Sequence, residues 1–366
     1  MSESYDVGSL PFEGDFEKFC RGASAKPDGE DYRYFEDKVV EGFLDKLRAG
    51  IDLPNYPQFR DMNEMFMCSI RGVERVKSMY VETESLSVSA EDAKIPEVEA
   101  IRRRASEIAE EAGSPFRVKL CVTGPHTLSC LFLYRHGDLF LSLGRVLSRI
   151  VEENIFKEKH GRVAMLTLDE PTFGAFDDHL IDYGAEGREN LRKAWEDVFH
   201  RAKSAGVVTV IHLHSTSNRL FWEVEFLDVV ESHVDDFLYR SRQTKRLLED
   251  TDKFLKASVC RTSFDTLIKT ALESSPKPTR TTSIEEEIGR VWRRIKKGEV
   301  DPTIYIESPE VMKKRLSKVV ETFGPERVPY AGPECGLRGF PTYRSAVECL
   351  RRVAGVVSSF RQNQPR

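Results

Sequence analysis

Two kinds of hydrophobic pattern alternate along the chain. Apolar residues three and four positions apart, in stretches that each end at a glycine, predict helices at 31–50, 96–113, 187–206 and 308–324. Short continuous apolar runs predict strands at 116–124, 162–171, 207–214, 254–259 and 327–333. Continuous hydrophobicity is typical of strands that are covered on both faces. The repeated order of strand and helix therefore predicts a parallel α/β sheet.

Two parallel architectures fit this order, an open doubly wound sheet and a closed barrel. An open dinucleotide-binding sheet should carry the glycine pattern G-x-G-x-x-G after its first strand, but the chain reads VGSLPFEGDF there, and a phosphate-loop pattern is also absent. A barrel instead gathers the carboxyl ends of its strands around one mouth. Several predicted strands end in polar or special residues: Gly8 and Ser9, Thr123 and Gly124, Asp169 and Glu170, His212 and His214, and Glu334 and Cys335. The pattern predicts a single (β/α)8 TIM barrel over residues 1–366, with the polar connector 273–287 as a surface loop.

Composition narrows the function classes. The chain has 366 residues, of which 40% are apolar and 31% are charged, a balance typical of a soluble globular protein. The net charge of −5, with both signs interspersed, excludes a wide basic surface for nucleic acid. No stretch approaches the ~18 apolar residues of a membrane span, and no secretory signal is visible, so we expect a cytoplasmic protein without a membrane partner. The 7 cysteines lack C-x-x-C spacing and indicate no disulfide framework.

The candidate chemistry begins with His212 and His214 at the end of the strand 207–214. Residues two apart on a strand project from the same face, an arrangement that taken alone more often serves packing or solvated polarity than metal binding. The predicted mouth would add Cys335, which lies in the Gly- and Pro-rich turn YAGPECGLRG. Nitrogen and sulfur donors suit zinc, and three protein ligands leave the fourth position that a catalytic site requires. For Asp169, helix capping and substrate binding both remain open.

Several segments in the same order carry a family resemblance. They are VGSLP, RDMNEMF (60–66), VTGPHTL (122–128), LDEP (168–171), HLH (212–214), SRQTKRLLE (241–249), IESPEV (306–311) and GPECGLRGFPTYRSA (332–346). In these segments the chain resembles the catalytic barrel of the cobalamin-independent methionine synthase superfamily, from residue 5 to about residue 355. The resemblance implies a (β/α)8 barrel whose zinc ion activates a thiol for alkylation. A metal-dependent amidohydrolase barrel fits less well, because its H-x-H pair belongs to the first strand.

The resemblance assigns roles to particular residues. It implies zinc binding by His212, His214 and Cys335, contact of Ser9 and Asp169 with the substrate, and an acid or base role for Glu307 near the zinc. The implied activity is transfer of a methyl group to a small thiol, with homocysteine as the predicted acceptor, as in methionine biosynthesis. The methyl donor is left open between a corrinoid protein and a methyl-folate.

The chain departs from the family at several of these positions. The methionine synthases have H-x-C where this chain has His212 and His214. A further carboxylate ligand aligns near Tyr239, which leaves Asp235, Asp236 or Glu231 as replacements. A glutamate expected to hold the substrate amino group aligns with Tyr56, and a histidine aligns with Glu307. The segments that would bind folate are not recognisable.

These departures keep two alternatives open. One is zinc-dependent alkyl transfer to another thiol such as coenzyme M, as in the epoxyalkane:coenzyme M transferases. The other is a non-catalytic barrel that binds a thiol or a corrinoid protein.

Overall fold

The computed structural model describes residues 2–27, 29–274 and 283–362. The strands are Glu3–Ser4 (β1), Arg71–Val76 (β2), Met79–Ser87 (β3), Phe116–Thr123 (β4), Gly161–Glu170 (β5), Val208–Leu213 (β6), Val229–Glu231 (β7), Phe254–Cys260 (β8) and Tyr330–Pro333 (β9). The helices are Phe16–Ala23 (α1), Glu30–Arg48 (α2), Glu64–Met67 (α3), Pro96–Arg103 (α4), Ala105–Ala112 (α5), Pro125–Ser129 (α6), Gly137–Asn154 (α7), Glu186–Ser204 (α8), Arg242–Asp250 (α9), Phe264–Ser274 (α10), Ile284–Lys296 (α11), Pro309–Phe323 (α12) and Tyr343–Gln362 (α13). Short 3-10 turns lie at His179–Ile181, Leu220–Glu223, Phe237–Tyr239 and Pro302–Tyr305.

Seven of the strands form one parallel sheet in the order β1-β9-β8-β7-β6-β5-β4, while β2 and β3 form a separate hairpin. The extended segment 53–58 hydrogen-bonds to both outer strands of the parallel sheet. Leu53 N donates to Ser4 O (3.0 Å) on β1, and Lys119 N of β4 donates to Pro54 O (2.9 Å). The prediction of a mixed α/β fold with a parallel sheet is therefore confirmed, and the described part of that sheet has seven regular strands.

Most predicted elements appear close to their expected bounds. The predicted strands correspond to β4, β5, β6, β8 and β9, and three predicted helices correspond to α2, α8 and α12. The predicted helix 96–113 is two helices, α4 and α5, separated at Arg104. The loop prediction for 273–287 falls partly outside the described residues, and the described ends of this segment belong to helices α10 and α11 instead of a loop. No helix in the described ranges is long and apolar enough to cross a membrane.

The apolar residues form two clusters on opposite faces of the sheet. The larger cluster lies between the sheet and the surrounding helices. The smaller cluster lies on the other face and contains Tyr5, Leu53, Met165, Val210 and Val229. Because side chains alternate along a strand, residues two positions beyond this second cluster point to the same face. The candidate site is built on that face.

Candidate metal centre

Strand alternation brings three polar side chains together at the carboxyl edge of the sheet. His212 lies two residues beyond Val210, and Glu231 lies two beyond Val229, so both project from the face of the smaller cluster. The strand register pairs Asp169 of β5 with His212 of β6, and His212 with Glu231 of β7. All three side chains are buried.

Three loops beyond this edge complete a cluster of possible metal ligands. His212, His214, His233 and Cys335 each offer a donor atom, and these atoms all lie within 4.8 Å of one another. Cys335 Sγ is 3.5 Å from His214 Nε2, and the ring centroids of His214 and His233 are 4.2 Å apart. The structure therefore brings together the three ligands predicted from the sequence, and it adds His233.

The donor atoms suit a transition metal. Within the described chain, His212 Nε2 and His233 Nε2 are buried and have no hydrogen-bond partner. Burying a polar atom without a partner costs about 1–3 kcal/mol, and a metal ion would remove that cost. Three imidazoles and one thiol are a donor set that favours zinc over magnesium or calcium. Zinc bonds of about 2.1 Å to nitrogen and about 2.3 Å to sulfur place tetrahedral donors about 3.5 Å apart, which the cluster can provide with small adjustments.

Neighbouring side chains shift the pKa values of His212 and Cys335 in the metal-free cluster. Burial lowers the pKa of His212, but the neighbouring side chains of Cys335 and Glu231 outweigh this effect and raise it to about 10. Burial raises the pKa of Cys335, yet the adjacent imidazoles of His212, His214 and His233 hold that pKa well below the ordinary value of a thiol. The four side chains alone therefore favour a thiolate next to a protonated imidazole.

A buried carboxylate also ties two of the metal-cluster loops together. Glu334 accepts hydrogen bonds from Val234 N (3.0 Å) and Thr262 N (2.9 Å). Val234 follows His233, and Glu334 precedes Cys335. The side chain of Glu334 therefore fixes the loop that carries His233 relative to the turn that carries Cys335.

The two predicted substrate residues lie at the same edge. Asp169 is 5% exposed, and its Oδ1 atom has no hydrogen-bond partner within residues 2–27, 29–274 and 283–362. Burial raises the pKa of Asp169, against the opposing charges of His212 and Lys119. Ser9 lies against the turn that carries Cys335: a Cβ added at Gly336 would be 2.0 Å from Ser9 Oγ. A side chain at position 336 would therefore require the Ser9 hydroxyl to move.

Glu307 lies outside the four-residue cluster. Its Oε1 atom accepts a hydrogen bond from Arg315 Nη2 (2.5 Å), and its Oε2 atom accepts one from Arg261 N (2.9 Å). These contacts join the segment before α12 to the residue that follows β8 and to α12 itself. The acid or base role of Glu307 stays a prediction.

The residues at the family departures have other partners. Tyr56 is fully buried and donates its hydroxyl hydrogen bond to Cys121 O (2.7 Å). Tyr239 hydrogen-bonds to Lys256 O (2.9 Å). Of the three carboxylates considered as replacement ligands, Glu231 contacts His212 (3.1 Å), Asp235 pairs with Arg261, and Asp236 caps Leu238 N (2.7 Å). The fourth donor residue of the cluster is His233 instead.

The sequence contained a weak signal for His233. Strand β7 has only three residues, too few for a periodic pattern, so it was not predicted. The residues Glu231 and His233 nevertheless have the same spacing of two as His212 and His214, directly after a pair of valines. This second pair of polar residues at the end of an apolar run was the available indication that His233 could join the site.

Two solved structures share this fold over almost their whole length. A B12-independent methionine synthase from Shewanella sp. W3-18-1, in complex with selenomethionine, is 15% identical, with 98% of each chain covered and a TM-score of 0.61. A putative vitamin-B12 independent methionine synthase from Listeria monocytogenes is 14% identical, with 98% of this chain and 99% of that chain covered and a TM-score of 0.57. No protein-family model and no curated protein sequence matches the chain. The resemblance found in the sequence is thus confirmed at the level of the fold.

Proposed function

We propose that this protein is a zinc-dependent transferase that moves a methyl group to a small thiol. The observation that carries the proposal is the cluster of three imidazoles and one thiol, with two buried Nε2 atoms that lack hydrogen-bond partners among the described residues. Zinc bound there would supply the charge that deprotonates a coordinated thiol near neutral pH and leaves its sulfur nucleophilic. His212, His214, His233 and Cys335 would hold the ion.

The chain offers four donors where the sequence predicted three and an open position. Four donors complete a tetrahedral shell, so thiol binding would require the exchange of one donor or a fifth bond.

This proposal also includes a closed (β/α)8 barrel, in which the segment 53–58 serves as the remaining strand. Its hydrogen bonds to β1 and β4 support that closure.

Asp169 supports an amino thiol, homocysteine in particular, as the acceptor. Its free Oδ1 atom is buried beside His212, where it can accept a hydrogen bond from a substrate ammonium group. In this proposal the Ser9 hydroxyl, which lies next to the turn of Cys335, binds the polar end of the same substrate.

The second candidate is alkyl transfer to a thiol without an amino group, such as coenzyme M. The observation in its favour is Tyr56, which replaces the expected amino-binding glutamate and whose hydroxyl is already bonded to Cys121 O. The proposed methyl or alkyl donor is either a corrinoid protein or a methyl-folate. The residues of the cluster do not determine which of the two it is.

Calorimetric titration of the zinc-loaded protein separates these candidates. We expect L-homocysteine to bind with release of the thiol proton, and coenzyme M to bind more weakly. Binding of coenzyme M in preference to homocysteine would favour the second candidate. Binding of neither thiol to a zinc-loaded protein would contradict both and leave a non-catalytic barrel.

A further inference from the structure

A buried carboxylate lies directly behind the metal cluster. Glu231 Oε1 is 3.1 Å from His212 Nδ1. Its other oxygen, Oε2, accepts a hydrogen bond from Tyr5 Oη (2.9 Å) and pairs with Lys256 Nζ (2.7 Å). The side chains of Glu231 and Lys256 are both 0% exposed. Both carboxylate oxygens are therefore occupied by protein groups and neither is free for a metal ion.

The Glu231 contact determines which nitrogen of His212 faces the cluster. Because Nδ1 is hydrogen-bonded to the carboxylate, Nε2 is the atom left toward Cys335 and the other donors. In metal sites, a carboxylate on the second ring nitrogen fixes the orientation of the imidazole and makes it a stronger ligand. A structural histidine can make the same contact, so it is the combination with an unpartnered Nε2 on the cluster side that marks His212 as a candidate ligand.

Lys256 extends this arrangement to the opposite side of the cluster. Besides its ion pair with Glu231, its ammonium group donates a hydrogen bond to Pro333 O. Pro333 is the last residue of β9 and lies two residues before Cys335. One buried ammonium group therefore links the carboxylate that holds His212 to the strand end that carries Cys335.

We infer that Glu231 and Lys256 are positioning residues for the metal centre, which hold His212 and the Cys335 turn at a fixed separation. Tyr5 supports them through its hydrogen bond to Glu231. The inference rests on the proposed metal binding, but it does not depend on the thiol or on the methyl donor.

The chain contains a matched control for this pair. Lys46 and Asp6 form a second buried ion pair, with 2.7 Å between Nζ and Oδ2, and the Lys46 ammonium also donates to Gly8 O (2.8 Å) and Asn55 O (3.0 Å). Both side chains are as deeply buried as those of Glu231 and Lys256 but contact no residue of the metal cluster. Loss of either ion pair should destabilise the fold to a similar degree.

The experiment measures zinc affinity by competition with a chromophoric chelator, together with the visible absorption of the cobalt-substituted protein. We expect Glu231→Gln and Lys256→Met to weaken zinc binding about 10- to 100-fold and to change the cobalt spectrum. The controls Asp6→Asn and Lys46→Met should leave the zinc affinity and the spectrum unchanged. Tyr5→Phe removes a single hydroxyl from a ring that stays packed, so this variant should fold and lose affinity only a few-fold.

Four results would overturn all or part of this account. Equal zinc affinity in the wild type and in Glu231→Gln, Lys256→Met and Tyr5→Phe would overturn the positioning role. Equal losses in the Asp6 and Lys46 controls would overturn it too, because the effect would then be one of general packing. A wild type that binds zinc but alkylates no thiol would contradict the transferase and leave the positioning role standing, whereas a wild type that binds no zinc would contradict both.

Discussion

His126 and the histidines of the metal cluster lie at the same edge of the sheet, and they differ in how their ring nitrogens are used. His126, after β4, has both nitrogens paired, with Nδ1 2.9 Å from Thr172 Oγ1 and Nε2 3.0 Å from Asp178 Oδ2. In the metal cluster, His212 and His233 each have a buried Nε2 atom with no hydrogen-bond partner in the described part of the chain. The surroundings of His126 are complete as a structural network, whereas the metal cluster keeps nitrogen atoms that a ligand could use.

The two consecutive carboxylates at the end of β5 show the same difference. Glu170 accepts hydrogen bonds from His126 N (2.9 Å), Thr127 N (2.7 Å) and Trp195 Nε1 (2.7 Å), and so caps α6. Asp169, on the other face of the strand, keeps one oxygen without a partner among the described residues. Residue type alone does not separate a structural group from a binding group. The two carboxylates differ instead in how far their hydrogen bonds are satisfied.

The largest expected effect is on zinc binding at the unsaturated group. Cys335→Ala removes the only sulfur donor of the cluster and should weaken zinc binding about 100- to 1,000-fold, given about 10–16 kcal/mol shared among four ligands. His126→Ala should leave zinc binding intact. Zinc content after dialysis, measured by mass spectrometry, checks both variants. Equal zinc content in wild type and Cys335→Ala would break the distinction between the two groups.

The saturated group should matter for stability. His126→Ala leaves Asp178 with only Arg135 and Leu180 N as partners in the described chain, and should lower the free energy of unfolding by about 3 kcal/mol. Urea denaturation of the metal-free protein measures this loss. His233→Ala is the comparison, and it should cost less than 1 kcal/mol in the same metal-free assay, because His233 Nε2 has no hydrogen bond to lose. A larger loss for His233→Ala would assign it a structural role.

Asp169→Asn sharpens the contrast between the two carboxylates. Removing the negative charge should weaken the binding of an amino thiol about 10- to 30-fold, the value of one charge-assisted hydrogen bond, and should leave a thiol without an amino group unaffected. Glu170→Gln should reduce stability rather than thiol affinity. Calorimetric titration with L-homocysteine and with coenzyme M measures both effects. An equal loss for the two thiols would exclude an ammonium contact at Asp169.

The pH dependence of zinc binding should reflect the raised pKa of His212. In the metal-free protein the extra proton on His212 stabilises the fold below the unfolded value of about 6.5, and that contribution is lost as the pH rises through about 10. Zinc requires the neutral ring and must displace this proton. Zinc affinity should therefore increase about tenfold per pH unit between pH 7 and 9. A flat profile in this range would show that His212 is neutral before the metal binds.

Much of the cluster was accessible from the sequence because its residues follow clear strands. His212 and His214 end the apolar run of β6, and Cys335 lies in a turn rich in glycine and proline directly after β9. His233 follows β7, whose three residues are too short to give a periodic signal. The local pattern alone therefore identified only three of the four donors.

The parts that the sequence could not indicate depend on contacts between distant segments. Lys256 lies within the apolar run FLKASV, where its charge gives no sign of the partners Glu231 and Pro333 that burial provides. Glu307 was assigned to the zinc site through the resemblance, but its ion pair with Arg315 lies one helical turn beyond the motif. Such pairings follow from the tertiary structure and not from spacing along the chain.

The most direct test of the account is X-ray absorption spectroscopy at the zinc edge of the purified wild-type protein. The account predicts one sulfur at about 2.3 Å and three nitrogen donors at about 2.0–2.1 Å, with the sulfur absent in Cys335→Ala. A stoichiometric zinc ion without a sulfur neighbour, or a wild type that cannot be loaded with zinc, would contradict it.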